Sequence, residues 1–591
     1  MARVGPFHPR DDAMRYHVLA ADYDGTLATR GLVDPPTVEA MKRLRESGRK
    51  LVMVTGRVLG ELLELLEEPT LFDRIVAENG ALLYRPETKE EVTLAEPPPP
   101  EFVARLKLQG VGPISEGRVI VATWEPHQVA VLEVVREMGL ELQVIFNKGA
   151  VMVLPSGVNK ATGLQSALRD LGLSAHNVVA VGDAENDHAL LAAAEAGVAV
   201  ANAVPTLMER ADWTTTGDHG RGVVQLVERL LDDDLAGLEP ELARHHVLLG
   251  EDDEGREVRI PPYGLNVLVA GASGGGKSTL TSGLLERLAE ARYQFVIIDP
   301  EGDYDEFEPT MKLGDPHNPP TVDEVEELLE RPDAPNASVN MLGIDLKDRP
   351  GFSDQLIPRL QDLRAHAGRP HWIVIDEVHH LMPAAWQPAP MVIPKRIAGM
   401  LYITVSPDAV APAVLETVDV VLAIGPEAEA TIRLFCQAAA IPAPRGLEGI
   451  ELKPGETLAW FVKKGRAPVR VKTVPPTLHR RRHGRKYAEG NLGPDRSFYF
   501  KGPEGKLNLR AQNLVAFLQL AEGVDDATWE FHLRQGDYST WFREGIKDEE
   551  LAAAAEDVAA TRGLSAGESR ARIKAAVEER FTLPAERTTS A

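Results

Sequence analysis

The chain has 591 residues, 44% of them hydrophobic, with a formal net charge of −25 and a single cysteine, Cys436. This composition excludes a disordered chain, and one cysteine excludes an intramolecular disulfide framework and a cysteine-based zinc site. A field of this sign repels phosphodiester backbones on average, which disfavours nucleic acid as a partner. We see no apolar leader near the start and no apolar run of the roughly eighteen residues that a membrane span needs, so we expect a cytoplasmic protein with no membrane partner.

The length predicts roughly three to five domains, and the first candidate site follows an N-terminal tail of residues 1–15. Residues 16–21 have a buried-strand pattern and run directly into Asp22-Tyr-Asp-Gly-Thr26, which places two carboxylates one residue apart at the end of a strand. One carboxylate could attack phosphorus while the other protonates the leaving oxygen, with Mg²⁺ screening the incoming anion. Because Asp-x-Asp-Gly also occurs in calcium loops and tight turns, its partners along the chain decide its meaning.

Three later segments supply such partners. The strand predicted at 49–54 ends in Thr55-Gly56-Arg57, which offers a hydroxyl and free N–H groups to a phosphoryl oxygen. Lys160 stands just before a predicted helix and can neutralise a transferring phosphoryl group. The strand predicted at 177–182 ends in Asp183-Ala-Glu-Asn-Asp187, whose carboxylates suit a metal ion.

These four segments resemble the four motifs of the haloacid dehalogenase (HAD) superfamily, in the Cof-type branch that includes sugar phosphatases, sucrose-phosphate phosphatase and archaeal phosphoglycolate phosphatases. The resemblance covers residues 16–230 and implies a Rossmann-like α/β domain with a small cap at about residues 83–155. It implies Asp22 as the nucleophile that forms an aspartyl-phosphate and Asp24 as general acid/base. The residues assigned to phosphate binding are Thr55, Gly56, Lys160 and Asn186. Those assigned to Mg²⁺ are Asp22, Asp24 through its backbone carbonyl, Asp183 and Asp187. A domain that senses a phosphorylated ligand without turnover is the alternative.

An acidic, proline-containing linker at 231–246 is predicted to lead into a second domain at 247–474, which opens with a hairpin turning at Asp253-Glu-Gly255. The apolar run 266–270 then precedes a glycine-rich loop and a helix, which is the context that a Walker A loop requires. There, backbone N–H groups can surround phosphate oxygens, with Lys277 reaching the outer phosphates and Ser278 binding Mg²⁺. The predicted ATP-binding residues are Gly271, Ser273, Gly274, Gly275, Gly276, Lys277, Ser278 and Thr279.

A later apolar strand at 371–375 ends in Asp376-Glu377, which is the Walker B pattern. Asp376 would bind Mg²⁺ through water, and Glu377 would polarise the attacking water as a catalytic residue. Strands predicted at 266–270, 294–298, 371–375, 400–405 and 418–424 would form a parallel sheet with helices between them.

The glutamate after the Walker B aspartate and the sequence Asp299-Pro-Glu-Gly-Asp-Tyr304 resemble the HerA/FtsK group of P-loop ATPases. This resemblance implies an α/β domain that hydrolyses ATP, often in rings that move nucleic acid or protein, so a homo-oligomer is a possible partner state. Two features depart from the group. Val405-Ser406-Pro407 stands where a Thr-Gln pair is usual, and Arg433 and Arg445 are arginine-finger candidates by position only, better explained as surface residues.

The histidines and the cysteine of the second domain favour structural roles. His379 and His380 are adjacent, so we expect their rings to point apart, and no other ligand stands at metal-binding spacing nearby. Cys436 is expected in the core face of a helix.

Beyond the second domain, the character of the chain changes. The basic run His479–Lys486 lies in a predicted linker at 475–496 and is better explained as a solvated linker than as a nucleic-acid contact. Helical periodicity predicts a mainly helical C-terminal domain at 497–564, whose aromatic residues are expected in its core, followed by a tail at 565–591.

Three functions follow from these motifs. We favour a Mg²⁺-dependent phosphatase for a phosphorylated small molecule, fused to a domain that binds and hydrolyses ATP, because both sets of motifs are complete. A HerA-like nucleic-acid translocase whose HAD domain processes terminal phosphates is the alternative, against which the net charge and the missing Thr-Gln pair count. A kinase and phosphatase acting on one metabolite ranks third, because Glu377 favours water as the acceptor.

Overall fold

The computed structural model describes residues 14–147, 149–238, 242–305, 307–331, 334–386, 398–465, 467–477, 497–503, 505–546, 548–561 and 563–581. Their contacts separate two compact units: one takes in residues up to Glu301 together with Pro309–Pro476, and the other takes in Gly302–Glu308 and residues from Thr477 onward. None of the described helices combines the length and the apolar character that crossing a membrane requires.

The N-terminal domain is built on a sheet of mostly parallel strands in the order β14-β13-β12-β1-β4-β5-β6-β7. Its central strands are rich in Val and Ala and are buried on both faces, as parallel strands covered by helices on both sides must be. The strands of this domain and its cap are β1 (Val18–Ala21), β2 (Ala28–Thr29), β3 (Leu32–Val33), β4 (Lys50–Val54), β5 (Arg74–Ala77), β6 (Leu82–Arg85), β7 (Glu90–Thr93), β8 (Ser115–Glu116), β9 (Val121–Trp124), β10 (Leu142–Asn147), β11 (Ala150–Pro155), β12 (Val178–Gly182), β13 (Ala196–Ala199) and β14 (Trp213–Thr214).

Helices cover both faces of this sheet and complete two hydrophobic cores. The α1 and α8 side packs Leu44 and Leu226, and the α5 and α6 side packs Leu164 and Leu190. The helices are α1 (Pro35–Glu46), α2 (Leu59–Leu65), α3 (Pro100–Leu108), α4 (Gln128–Glu137), α5 (Lys160–Leu171), α6 (His188–Ala193), α7 (Pro205–Met208) and α8 (His219–Asp233). The Rossmann-like α/β architecture expected from the sequence is confirmed.

The cap is a separate antiparallel sheet in the order β10-β11-β9-β8, packed with α3 and α4 around Phe102, Val131 and Val151. Its expected start at about residue 83 is wrong. That position lies inside β6, which pairs antiparallel with β5 and β7 in the main sheet and buries Leu82 and Leu83 there. The separate cap fold therefore begins after Thr93, with α3.

The central domain carries a mixed sheet in the order β16-β15-β25-β24-β23-β17-β22-β21-β18-β20-β19. The five predicted strands, now β17, β18, β21, β22 and β23, are parallel as predicted, and two further strands, β20 and β19, continue the parallel part. In contrast, β24, β25, β15 and β16 extend the sheet antiparallel. Its strands are β15 (Val247–Asp252), β16 (Glu257–Ile260), β17 (Asn266–Ala270), β18 (Phe295–Asp299), β19 (Thr310–Leu313), β20 (Asn336–Asn340), β21 (Trp372–Ile375), β22 (Met400–Thr404), β23 (Val420–Ile424), β24 (Glu456–Phe461) and β25 (Val469–Thr473). Its helices are α9 (Lys277–Glu290), α10 (Val322–Glu330), α11 (Arg349–Ala367), α12 (Val378–Leu381), α13 (Pro412–Leu415) and α14 (Ala428–Ala438).

The N-terminal and central domains belong to the same unit and meet at a seam around the buried carboxylate of Glu195. Arg15 Nη2 donates to Glu195 Oε1 at 2.7 Å, and the Tyr293 hydroxyl donates to Glu195 Oε2 at 3.0 Å. The His176 ring stacks on Tyr293 with 3.7 Å between centroids, and Arg369 Nη2 donates to the Gly172 carbonyl at 3.0 Å. Burial alone would raise the pKa of Glu195, but the hydrogen bond from His176 and the charge of Arg15 hold it well below its ordinary value. We refer to these contacts as the interdomain seam.

The C-terminal unit is mainly helical, as predicted, and packs its helices with a short hairpin around Phe500, Phe517, Trp529 and Phe542. The predicted tail from residue 565 is wrong in its first part: a helix begins at Ala566, and Ile573 on it is buried in this core. The basic run His479–Lys486 lies outside the described residues. The elements are β26 (Phe498–Phe500), β27 (Leu509–Ala511), α15 (Leu514–Gly523), α16 (Asp526–Gln535), α17 (Asp537–Glu544), α18 (Glu549–Ala560) and α19 (Ala566–Phe581).

Candidate active sites

The predicted nucleophile, Asp22, lies at the C-terminal end of β1, the central strand of the sheet. Its backbone N–H continues the ladder by donating to the Val181 carbonyl at 3.0 Å, so its position is set by β12 as well as β1. The following turn needs Gly25, which has φ +89° and whose added Cβ would lie 2.2 Å from Asp183 Oδ2. The sheet and this turn together bring two of the predicted carboxylates to one place.

Lys160 is the cation of this site and the first residue of α5. A capping box formed by Asn159 and Thr162 starts the helix at this point, which fixes where the lysine backbone lies. Lys160 Nζ donates to Asp22 Oδ1 at 2.5 Å and to Asp187 Oδ1 at 2.6 Å, and all three side chains are buried. Burial lowers the pKa of Lys160, but Asp187 and Asp22 raise it by more, so the ammonium stays charged.

The carboxylates around Lys160 fit a divalent cation. Asp22, Asp183 and Asp187 are buried and each offers a ligand atom within 4.8 Å of the others. Burial and the neighbouring carboxylates of Asp187 and Asp183 raise the pKa of Asp22 to about 8, although the charge of Lys160 opposes this shift. Three buried carboxylates are not balanced by one ammonium, and carboxylate oxygens are the ligands that Mg²⁺ prefers. The donor set therefore suits the predicted magnesium ion.

Asp24 forms an ion pair that the sequence did not reveal. Arg57 Nε donates to Asp24 Oδ2 at 2.5 Å and Arg57 Nη2 donates to Asp24 Oδ1 at 2.7 Å, a two-pronged contact. Arg57 follows Thr55 and Gly56 in the second motif, and its backbone N–H donates to Thr55 Oγ1 at 3.2 Å. The second motif thus reaches the predicted general acid/base through Arg57, while Thr55 is buried.

Asn186, assigned to phosphate binding, has a protein partner in this structure. Its Nδ2 donates to Asn79 Oδ1 at 3.0 Å and lies 3.7 Å from the Cβ that would be added at Gly56. Asn79 follows Glu78, whose buried carboxylate accepts the backbone N–H groups of Val119 at 2.7 Å and of its two chain neighbours. Glu78 therefore ties a loop of the cap to the active-site edge of the sheet, a contact between residues distant in sequence.

The predicted Walker A residues form the turn between β17 and α9. Gly276 has φ +98° just before the helix, and a Cβ added at Gly271 would lie 2.3 Å from the Ile424 carbonyl oxygen, so both positions require glycine. Ser273, Gly274 and Gly275 lie in the loop, and Ser278 and Thr279 lie in the first turn of α9. Lys277 Nζ donates to the carbonyls of Gly271 at 2.8 Å and Ala272 at 3.3 Å. The side chain of Lys277 therefore folds back onto the same loop that is predicted to bind phosphate.

The predicted Walker B residues follow β21, as expected. Asp376 is buried, and its Oδ1 accepts the backbone N–H of Glu377 at 3.1 Å, with Glu377 in the left-handed region at φ +42°. Burial lowers the pKa of Lys277, and the charges of Glu377 and Asp376 oppose that shift, so these carboxylates act on the Walker A lysine. Walker A and Walker B thus share one electrostatic environment.

His379 and Thr404 lie next to this pair and were not predicted to do so. His379 Nδ1 lies 3.4 Å from Glu377 Oε2 and 3.2 Å from Thr404 Oγ1. Burial lowers the pKa of His379 to about 4, so the ring is neutral at pH 7. The strand predicted to end at Val405 ends at Thr404, which places a threonine at the strand terminus facing Walker B.

Three remaining predictions for the central domain have clear outcomes. The rings of His379 and His380, both in the single turn of α12, do not point apart, since their centroids are 4.2 Å from each other. Arg433 is exposed and pairs with Glu429 at 2.9 Å, as a surface arginine would. Cys436 is buried in the core with Phe435, as expected.

Comparisons with known proteins agree with this geometry. Residues 19–107 and 136–227 match the family model described as haloacid dehalogenase-like hydrolase, and residues 265–348 match the one described as Helicase HerA, central domain. A phosphoglycolate phosphatase of Methanothermobacter thermautotrophicus is 32% identical over 222 residues, which cover 36% of this chain and 98% of that protein. Phosphoglycolate phosphatase 2 of Saccharolobus solfataricus is 30% identical over 226 residues, covering 36% and 92%. A crystal structure of a haloacid dehalogenase-like hydrolase from Bacteroides thetaiotaomicron is 21% identical with a TM-score of 0.34, covering 36% of this chain and 99% of that one. The chain therefore belongs to the haloacid dehalogenase-like hydrolases through its N-terminal domain, to which it joins a P-loop domain similar to the central domain of the HerA helicase.

Proposed function

We propose that the N-terminal domain is a Mg²⁺-dependent phosphatase for a small phosphomonoester and that the central domain binds and hydrolyses ATP. The observation that carries the phosphatase proposal is Lys160, whose ammonium bridges the buried carboxylates of Asp22 and Asp187. A buried cation between two carboxylates costs desolvation energy in an inert fold, whereas in a phosphatase it supplies a positive charge next to the nucleophile, where the phosphoryl group would bind.

The proposed reaction has two steps. Asp22 attacks phosphorus, the bond from phosphorus to the ester oxygen breaks, and Asp24 donates a proton to the leaving oxygen. Water then attacks the aspartyl-phosphate, Asp24 takes a proton from that water, and phosphate leaves with Asp22 restored. When bound, Mg²⁺ would neutralise the carboxylates and the phosphoryl oxygens.

Arg57 sets a condition on this scheme. Paired with Arg57, the Asp24 carboxylate accepts hydrogen bonds at both of its oxygens and is not placed to donate a proton. We propose that an anionic group of the substrate attracts Arg57 away from Asp24, which frees Asp24 to carry a proton. This exchange favours a substrate with a second negative group, and the phosphoglycolate phosphatases among the relatives make phosphoglycolate the first substrate to test.

The test is phosphate release from phosphoglycolate and from a generic aryl phosphate, with and without Mg²⁺. Wild type should release phosphate only with Mg²⁺, and Asp22→Asn should lower kcat by roughly a thousandfold or more. Asp218→Asn, which changes a half-exposed aspartate of the same domain, is the matched control and should behave as wild type. Phosphate release that survives Asp22→Asn would exclude Asp22 as the nucleophile.

For the central domain, we propose that Lys277 binds the outer phosphates of ATP and that Glu377 polarises the attacking water. Glu377→Gln should retain ATP binding and lose turnover, whereas Lys277→Ala should lose binding. The same assay with added single-stranded DNA, double-stranded DNA or RNA separates a translocase from a nucleotide-driven switch. Turnover that rises several-fold with one of these nucleic acids would favour the translocase.

A further inference from the structure

A cavity of about 610 Å³ lies beside the interdomain seam, and the Asp22–Lys160 and Walker residues are not among those that line it. Its walls come from the C-terminal part of α5 with the segment after it, from the end of α6, and from residues 244–248, where the linker runs into β15. Arg259 on β16 and the C-terminal end of α9 with Arg292 complete them. The volume falls within the range of small-molecule sites, roughly 300–1,000 Å³.

The titratable residues that line this cavity are all basic. They include five arginines, Arg169, Arg244, Arg259, Arg287 and Arg292, and three histidines, and neither Asp nor Glu is among the lining residues. Acidic residues outnumber Lys and Arg by 89 to 64 in the chain, so the positive charge of this cavity wall is opposite in sign to the net charge of the protein. The remaining lining residues are mostly Leu, Val and Ala, a mixture that suits a ligand with an apolar body and several negative charges.

Two of these arginines form no ion pair with a described carboxylate. Arg244 is paired with Asp212, and Arg259 with Glu257. In contrast, Arg287 Nε and Nη2 are buried with no hydrogen-bond partner within the described residues, and burial lowers the pKa of Arg287. The guanidinium of Arg292 is exposed and has no hydrogen bond or ion pair to any described residue. Buried unpaired cationic donors are costly, and an anion beside them would lower that cost.

The cavity also has a special position relative to the two active sites. The helix α5 begins at Lys160 and reaches the cavity through Leu168 and Arg169 near its C-terminal end, and α9 begins at Lys277 and reaches it through Arg287. Basic residues in a last helical turn often serve only to complement the helix dipole, which would explain Arg169 and Arg287 by themselves. That explanation does not extend to Arg259 on β16 or to Arg292 beyond α9.

We propose that this cavity binds a polyphosphorylated small molecule, such as a nucleotide or a polyphosphate, which joins the two domains at the ends of their active-site helices. Bound phosphates would accept hydrogen bonds from Arg287 and Arg292, and the apolar wall would contact the rest of the ligand. The ligand acts on both helices at once, so its binding links the phosphatase to the ATPase. The proposal does not depend on which substrate the phosphatase hydrolyses.

The test uses full-length protein carrying Asp22→Asn and Lys277→Met, in EDTA, so that binding at both active sites is suppressed. Tripolyphosphate and ATP are titrated separately by calorimetry. We expect one-to-one binding of at least one probe, with a dissociation constant that Arg292→Glu raises by about tenfold or more. Equal affinity for the two probes would identify phosphate as the recognised group, and tighter binding of ATP would add a contact to its nucleoside.

Matched variants and hydrogen exchange distinguish binding in this cavity from a general effect of protein charge. Arg221→Glu makes the same charge change at a side chain that is 82% exposed on the N-terminal domain, and it should leave affinity unchanged. The double variant Arg287→Gln with Arg292→Gln should weaken binding more than Arg292→Gln does alone. If the double variant fails to fold, Arg292→Glu decides the question, because it changes an exposed side chain. Bound probe should protect peptides at 165–176, 244–248 and 287–292 from exchange together. Absence of binding, or affinity unchanged by Arg292→Glu, would overturn the proposal.

Discussion

The two active-site lysines, Lys160 and Lys277, occupy the same place in their local structures but face different groups. Each is the first residue of a helix that follows a loop, and each is buried. Lys160 donates to two carboxylates, whereas Lys277 donates to two carbonyls of its own loop. The pKa of Lys160 is accordingly raised above its ordinary value, against the effect of burial, and that of Lys277 is lowered by burial. A motif thus predicts where a lysine lies, and the groups opposite it decide its charge and its energetic cost.

The strongest test of this comparison is Lys160→Met. The substitution leaves the Asp22 and Asp187 carboxylates buried without their cation, so we expect the Mg²⁺-free protein to lose about 3–5 kcal/mol of unfolding free energy. Phosphatase activity should fall by roughly three orders of magnitude. Urea unfolding with and without Mg²⁺ checks this, and Mg²⁺ should restore more stability in the variant than in wild type. A loss below about 1 kcal/mol would show that the ion pair does not hold the site together.

Gly80→Ala tests the contact between the loop at Gly80 and the backbone of Asn159, the residue that precedes Lys160. An added Cβ at Gly80 would lie 1.9 Å from the backbone carbonyl of Asn159, at φ +105°, so we expect a loss of about 2–4 kcal/mol. Gly157→Ala is the matched control, since it has φ +83° but nothing within 4 Å, and should cost about 1 kcal/mol. Thermal unfolding of both variants gives the difference, and equal losses would mean that the contact with Asn159 relaxes freely.

In contrast to Lys160, His17 is a buried basic side chain of the N-terminal domain that has no carboxylate among the groups that shift its pKa. Burial, opposed by a hydrogen bond to the Met14 carbonyl and aided by Arg49, lowers the pKa of His17 to about 4. The unfolded chain, with a pKa near 6.5, then binds the proton more tightly, so stability is complete above pH 6.5 and falls as the pH drops toward 4. Between pH 6.5 and 5 we expect His17 to account for about 1.5 kcal/mol of the loss. His17→Gln should flatten the measured pH dependence over this interval, and an unchanged slope would contradict the assignment.

The smallest expected effect is that of Lys277→Met on the stability of the protein without nucleotide. Because burial disfavours the charged lysine and its partners are neutral carbonyls, its removal should change the unfolding free energy by less than about 1 kcal/mol. ATP binding should be lost and phosphatase activity retained, which calorimetry and phosphate release can establish on the same sample. A large destabilisation would show that the loop depends on Lys277 even without phosphate.

The sequence predicts the active-site edge of each sheet well, because the site residues follow apolar strands directly. Asp22, Asp183 and Asp376 each stand one residue after the end of a strand, so strand detection also places the carboxylates. What it does not predict is contact between distant segments. The pairing of Arg57 with Asp24 and the binding of the cap loop by Glu78 depend on how the strands pack, and no local spacing encodes them.

The fold shows the same limit at its margins. Strands β6 and β24 join their sheets antiparallel, and hydrophobicity alone does not say whether an apolar segment enters a core sheet or a separate one. The helix α19 falls within the predicted tail because its many polar and charged residues obscure the positions, such as Ile573, that reach the core.

The interdomain seam makes each half of the first unit depend on the other for part of its packing and hydrogen bonding. Expressed without the central domain, the phosphatase half would keep Arg15 and His176 around Glu195. It would lose the Tyr293 hydroxyl, the stacking of Tyr293 on His176 and the contact of His176 Nε2 with the Ala291 carbonyl. Expressed without the phosphatase half, the ATPase half would expose the ring of Tyr293 and lose the Gly172 acceptor of Arg369, which keeps the carbonyls of Leu329, Glu330 and Arg331. Dividing the gene near residue 240 should therefore lower the stability of both halves, so the fusion serves both partners.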